Sequence, residues 1–380
     1  MIVADQYRNQ SPLAWPSVGL CGVIQRPQIE TTCYTPQNMN RIIVTGGAGF
    51  IGSNLVRQLQ QTVPGARILV IDDLRTGEFT NLVEPRPGHT AAFEGTLIAR
   101  PIHEVDVPEL AQRFKPDVIF HIASITDTTS DDQAKMMVDN VEAFETLIEV
   151  ARLSGAKLVL ASSAATYGTQ ANGATAARRP FALEDAGRPA NIYGFSKWVM
   201  ENRHRQAVAD DPSLHIVGLR YFNVYGPGEA HKGPMASMVY QLATQMLAGK
   251  RPRIFRDGTQ ARDQVHVNDV VSATIAAASD HARSGIYNVG SGVATTFNQI
   301  VDILNRAIGT AFEPQYFENP YPFYQDYTCA DLTETRAGLD WQAQHEVEQA
   351  MGEYATWLGA LHHKQVEFAE QNAIFSIQEE

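Results

Sequence analysis

The sequence predicts an α/β fold, a doubly wound parallel sheet followed by a smaller C-terminal lobe. Two observations carry that reading. From Arg41 onward, short β-branched runs alternate with helical patterns, as successive βαβ units require. The first of these runs also ends in a glycine cluster, Gly46-Gly47-Ala48-Gly49-Phe50-Ile51-Gly52, where a strand passes into a helix.

The strand candidates are Ile42–Thr45, Ile68–Asp72, Val118–Ile122, Leu158–Ser162 and His215–Arg220. Each is almost wholly apolar, as expected of strands covered on both faces. Met137, Val141, Phe144, Ile148 and Ala151 recur at steps of four and three, which puts them on one helical face directed to core or to a subunit interface. After Tyr225 the chain is broken by Gly226, Pro227, Gly228, Gly233 and Pro234, and a new helix is expected near Met235–Ala248. Ile286–Val289 reads as a strand returning to the main sheet, with Phe297–Ala307 as the helix after it. The expected organisation is therefore a dinucleotide-binding domain over 39–225 and a mainly substrate-binding lobe over 226–380. A part of the latter, about 265–290, returns to the first domain.

Of 380 residues, 44% are hydrophobic and 19% charged, with no apolar run near the roughly 20 residues of a membrane span. A net charge of −12 opposes a phosphate backbone, so neither a membrane nor a nucleic acid is expected as a partner. Cys21, Cys33 and Cys329 have neither metal-type nor catalytic spacing and suit a reducing cytoplasm. Residues 1–38, rich in Pro, Gln, Asn and Thr, lack the pattern of a secretory signal and read as an extension before Met39. That extension is either an added arm or the product of a displaced start. The stretch Thr169–Arg179 is a second polar segment.

The glycine cluster has a physical purpose. Glycine permits the tight turn and lets backbone N–H groups approach a pyrophosphate, whose charge the helix N-terminus favours. Gly46, Gly49, Phe50, Ile51 and Gly52 are the expected cradle, giving the domain a Rossmann character. Asp72 follows Gly52 by about 20 residues, where a carboxylate accepts from ribose hydroxyls and favours NAD. Asp73 adjoins it, while Arg75 is placed to face a 2′-phosphate and favours NADP, so both cofactors stay open.

Tyr193 and Lys197 stand four residues apart on one face of a helix. A phenol with a reference pKa near 10 is a poor base at neutral pH, but an adjacent ammonium stabilises its phenolate. Tyr193 can then take the proton of an alcohol as hydride leaves. Ser163, in Ala161–Gly168 at the carboxyl end of a strand, can hydrogen-bond the reacting oxygen.

Together these residues resemble the extended short-chain dehydrogenase/reductase family, over about Met39 to Leu358. Within it, Ala161–Gly168, Arg220–Pro227, Glu229–Met238 and Ala330–Thr333 resemble the ADP-L-glycero-D-manno-heptose 6-epimerases, the His231-Lys232-Gly233 segment most of all. The resemblance implies oxidation at the sixth carbon of an ADP-sugar, then reduction from the opposite face with the same bound cofactor. It also implies roles for individual residues. Tyr193 and Lys232 are the two acid/base groups, Lys197 anchors the nicotinamide ribose and Ser163 the substrate oxygen. Asn223 and His231 line the sugar site, and Arg262 and Tyr324 lie about the diphosphate. NADP is the cofactor implied, although Asp73 and Glu78 depart from the residues that suit it. A homo-oligomer is expected. A UDP-sugar 4-epimerase shares the Ser, Tyr, Lys and glycine loop, and Lys232 argues against it. A 4,6-dehydratase needs an Asp-Glu pair where Ser163-Ala164-Ala165 stands. A non-enzymatic dinucleotide sensor has no use for the intact Tyr193/Lys197 pair.

Overall fold

The structure, a computed structural model, describes residues 39–89, 91–126, 132–169, 178–318 and 324–377. The N-terminal extension with Cys21 and Cys33, and residues 170–177 of the second polar segment, lie outside them.

The described residues form twelve strands: β1 (Arg41–Thr45), β2 (Arg67–Asp72), β3 (Thr96–Ala99), β4 (Val118–His121), β5 (Lys157–Ser163), β6 (Ile216–Tyr221), β7 (Asn223–Tyr225), β8 (Arg253–Phe255), β9 (Ala261–His266), β10 (Gly285–Val289), β11 (Ala294–Thr296) and β12 (Gln315–Phe317). Seven make one parallel sheet in the order β10-β6-β5-β4-β1-β2-β3. Successive residues of β1 feed opposite faces: Ile42 and Val44 join one core cluster, Ile43 the other. This is why the strands read as unbroken apolar runs. β3 was not anticipated, because its apolar content is only Leu97-Ile98 and it lies half-exposed at the sheet edge, where burial imposes little pattern.

Strand order reverses between β1 and β4, which opens a crevice at their carboxyl ends. One sheet face is covered by helices Phe50–Thr62 and Val267–Ala276, and the other by Val107–Phe114, Ala143–Ser154 and Ile192–Asp210. Val141, Phe144, Ile148 and Ala151 face that second core. A π-turn over Val138–Glu142 interrupts the approach to the Ala143 helix. There Asn140 is buried, accepting from Ile125 N at 2.8 Å and donating to Ser196 Oγ at 3.0 Å.

Beyond Tyr225 the chain builds a three-stranded sheet, β11-β9-β7, a β12-β8 pair, and a third core among helices Met238–Leu247, Phe297–Ile308 and Val347–Ile377. The first of these helices starts at Met238 rather than Met235, because Gly233 (φ +51°) and Pro234 hold Ala230–Met235 in a short 3-10 turn. Between these pieces, Val267–Ala276 packs on the Phe50 helix and β10 pairs with β6. Among the described residues no helix is long and apolar enough to cross a membrane.

Beneath the β5 end lies a buried ion pair. Arg220 Nη2 meets Glu201 Oε2 at 2.7 Å, both side chains fully inaccessible, and Ser162 Oγ donates to Glu201 Oε1 at 2.6 Å. Arg220 Nη1 donates to the Tyr167 hydroxyl at 2.9 Å. Removing one partner strands the other charge in the core, so Glu201→Ala is expected to lose about 3–5 kcal/mol in denaturant unfolding. A loss below about 1 kcal/mol, the level of an exposed pair, would contradict this account.

Candidate active site

The glycine loop is packed too closely for side chains. A Cβ on Gly52 would stand 2.0 Å from Gly46 O, and one on Gly46 (φ +70°) would meet Ala123 N at 2.6 Å. Asp72 pins the loop to the end of β2: Ala48 N donates to its Oδ2 at 2.9 Å and Leu74 N to its Oδ1 at 2.8 Å. Burial pushes this carboxyl up and those amide bonds pull it back. A cleft of about 570 Å³ opens over the loop, lined by Gly46, Gly49, Phe50, Ile51, Gly52, Asp72, Asp73 and Arg75. The first-turn amides of the Phe50 helix, with Gly46 and Gly52 closed to a Cβ, fit a dinucleotide pyrophosphate. Arg75 is held by two carboxylates, Asp73 at 2.9 Å and Asp139 at 3.1 Å, and Asp139 also takes Lys135 at 2.9 Å.

Ser163 ends β5, and helix Ile192–Asp210 begins beside it, capped by Asn191, whose Oδ1 accepts from Gly194 N at 2.8 Å. The cap sets Tyr193 and Lys197 toward the strand end. The Tyr193 and Ser163 hydroxyls hydrogen-bond each other. Lys197 Nζ donates to Ala161 O at 2.7 Å. Burial raises the Tyr193 phenol, against the Ser163 bond, and brings Lys197 down to about 7, against the charge of Glu201 one turn on. His121, behind them on β4, is driven by burial to about 3 and hydrogen-bonds Thr45 Oγ1 through Nδ1 at 2.8 Å.

The Lys197 shift has a thermodynamic sign. Between about pH 7 and its usual 10.5 the unfolded chain binds a proton that the folded chain lacks, so stability rises with pH across that window. The Tm of the ligand-free protein is expected to climb from about pH 7 to about pH 9, and Lys197→Met to flatten the climb. Equal slopes in both proteins would contradict the shift.

Lys232 reaches the same place from the turn after β7. It is half-buried, with Nζ 5.4 Å from the Phe50 ring centroid. Burial lowers its pKa, opposed by Glu229. Glu229 anchors the turn: its Oε1 accepts from Gly226 N at 3.0 Å, Ser237 Oγ at 2.9 Å and the Tyr354 hydroxyl at 3.1 Å, and its Oε2 from Ser237 N at 2.5 Å.

A second cavity of about 450 Å³ joins Ser163, Tyr193, Lys197, Asn223, Lys232, Arg262 and Tyr324. The buried Arg262 guanidinium lies 4.8 Å from the centre of the Tyr324 ring. His231 departs from expectation. It lines the dinucleotide cleft instead of the sugar cavity, because its Nδ1 is drawn to Asn81 Nδ2 at 3.1 Å. Sequence reasoning also passed over Gln264, Tyr221 and Phe255 in the cavity wall. For Gln264 the signal was available, since it stands two residues from Arg262 on a strand.

A parallel sheet with its dinucleotide cleft at the strand-order reversal, and a Ser/Tyr/Lys group at the same edge, defines an enzyme of the nicotinamide-dependent Tyr/Lys class. Residues 42–290 match the NAD dependent epimerase/dehydratase family, and the chain belongs to that family. The ADP-L-glycero-D-manno-heptose-6-epimerase of Helicobacter pylori is 36% identical, covering 83% of this chain and 95% of its own with a TM-score of 0.73. The UDP-glucose 4-epimerase of Thermotoga maritima, solved with UDP-glucose, is 26% identical over 84% and 99% of the two chains, with a TM-score of 0.73. At 24% identity, the UDP-N-acetylglucosamine 4-epimerase of Methanobrevibacter ruminantium shares the fold, covering 85% of this chain and 99% of its own, with a TM-score of 0.74.

Proposed function

We propose that this protein converts ADP-D-glycero-D-manno-heptose to its L-glycero epimer by transient oxidation and re-reduction at the sixth carbon. The observation that carries the reading is the meeting of Tyr193 and Lys232, two half-buried groups able to transfer protons, from separate parts of the chain, in one cavity. Returning an alcohol with inverted configuration needs proton donors for two orientations of the oxygen, and a single tyrosine cannot serve both. The 36% identical Helicobacter pylori enzyme supports the choice of sugar.

The dinucleotide, when bound, supplies the hydride acceptor for the oxidation and the hydride donor for the return. Tyr193, as phenolate, takes the proton of the sixth-carbon hydroxyl, and Ser163 hydrogen-bonds that oxygen. Lys197 stabilises the phenolate and anchors the nicotinamide ribose. After the ketone turns over, the Lys232 ammonium protonates its oxygen. Asn223 contacts the sugar, Arg262 and Tyr324 contact the diphosphate, and His231 borders the cofactor. Gly46, Gly49, Phe50, Ile51 and Gly52 hold the pyrophosphate, and Asp72 and Asp73 the adenosine ribose. The occupation of Arg75 by two carboxylates favours NAD over NADP.

The dinucleotide domain is 39–225 with the returning segment near 265–290, and the remainder holds the substrate. Exposed Leu153 and Phe195 on adjacent helices suit a homo-oligomer. The setting is the cytoplasm, in the supply of a heptose-containing glycan such as lipopolysaccharide.

The test is incubation of purified protein with ADP-D-glycero-D-manno-heptose, reading the configuration at the sixth carbon and identifying the nucleotide released on denaturation. Formation of the L-glycero product is expected. No conversion, with UDP-glucose epimerised instead, would overturn the reading in favour of a 4-epimerase.

A further inference from the structure

We infer that the Gln264 carboxamide binds a hydroxyl of the substrate's glycosyl unit. The inference rests on the cavity being the nucleotide-sugar site proposed above, and it adds a residue to which neither motif nor resemblance assigned a role.

Alternation along β9 sends Arg262 and Gln264 to one side and Asp263 to the other. Asp263 is fully consumed there: its carboxylate accepts from Ser291 N at 2.7 Å, Gly292 N at 3.0 Å and Ala330 N at 2.9 Å. Gln264 faces the cavity instead, 2% exposed, and its Oε1 is buried with no hydrogen-bond partner among the described residues. Buried amide oxygens are almost always paired, so an orphan in a cavity wall marks a place where something else supplies the partner. Gln260, on the same stretch, also has an orphaned Oε1, but it lies outside the cavity and its Nε2 is spent on Phe255 O at 3.1 Å.

Register identifies the part of the substrate. Gln264 pairs with Asn223, which follows by two residues Tyr221, and Tyr221 pairs with Ser163 at the end of β5. Gln264 therefore stands beside Asn223, the residue proposed above to contact the sugar. Arg262 stands one two-residue step, about 7 Å, back along β9, with its guanidinium over the Tyr324 ring. With the diphosphate at the guanidinium, the unit that meets Asn223 and Gln264 is the sugar. A carboxamide offers both an acceptor and donors, which matches a hydroxyl and suits neither a phosphate alone nor an aromatic base face.

The experiment compares the full-length protein with Gln264→Leu, a substitution of similar volume. Binding of ADP-D-glycero-D-manno-heptose and of ADP alone is measured by calorimetry, together with Tm. The variant is expected to lose about tenfold in affinity for the sugar nucleotide and none for ADP. Its Tm should be unchanged or higher, because an unpaired buried polar atom has been removed. Equal affinities for the sugar nucleotide in both proteins, equal losses for both ligands, or a lowered Tm with no selective loss would overturn the inference. Should the wild-type protein bind UDP-glucose in place of the heptose, the substrate reading falls. The same comparison with UDP-glucose and UDP then decides the role of Gln264 on its own.

Discussion

Tyr193→Phe is expected to lower kcat by about 10³-fold while leaving NAD binding intact. The ring is half-buried against its neighbours, so phenylalanine fills the same space, and only the hydroxyl facing Ser163 is lost. Nothing in the glycine cradle depends on it. Burial raises the pKa of this hydroxyl, Ser163 opposes that rise, and Lys197 Nζ lies 6.0 Å from the ring centroid. Stopped-flow turnover with fluorescence titration of NAD separates the two effects. Parallel loss of binding and turnover would mean that Tyr193 supports the cleft and moves no proton.

Lys232→Met is expected to abolish inversion by about 10²–10⁴-fold yet to spare the oxidation that Tyr193 performs. The signature is reduced dinucleotide accumulating on mixing with substrate, without epimer. Methionine retains the apolar stem near Phe50, and the Glu229 carboxylate keeps its hydrogen bonds from Gly226, Ser237 and Tyr354, none of which comes from Lys232, so the turn keeps its shape. If the variant epimerises at the wild-type rate, Lys232 is a binding group, and the case for two proton donors collapses.

What the sequence disclosed follows the range of the forces involved. The parallel strands were legible because burial on both faces writes itself into consecutive residues, and β3 was not, because an edge strand is relieved of that demand. The glycine loop and the Tyr193/Lys197 pair are local patterns, set by a turn and by helical pitch, and both fell where expected. Partners distant in sequence left no such mark. Nothing near Arg75 reveals that Asp139, 64 residues on, will bind it. His231 and Lys232 are neighbours in the chain and both line the dinucleotide cleft, yet of the two only Lys232 also lines the second cavity, and the pull of Asn81 on His231 exists only once the fold has formed.

The path of the chain has a consequence for how such an enzyme can be altered. It leaves the large sheet after β6, crosses to pair β7 with β9, returns to lay β10 along β6, and departs again. A fragment halted at Tyr225 would present the bare N–H and C=O row of β6 to solvent, an invitation to pair with any passing strand. Specificity therefore cannot be transplanted from a relative by a single crossover. A chimera must exchange the segments on either side of the returning piece as a matched set and leave that piece with its own sheet.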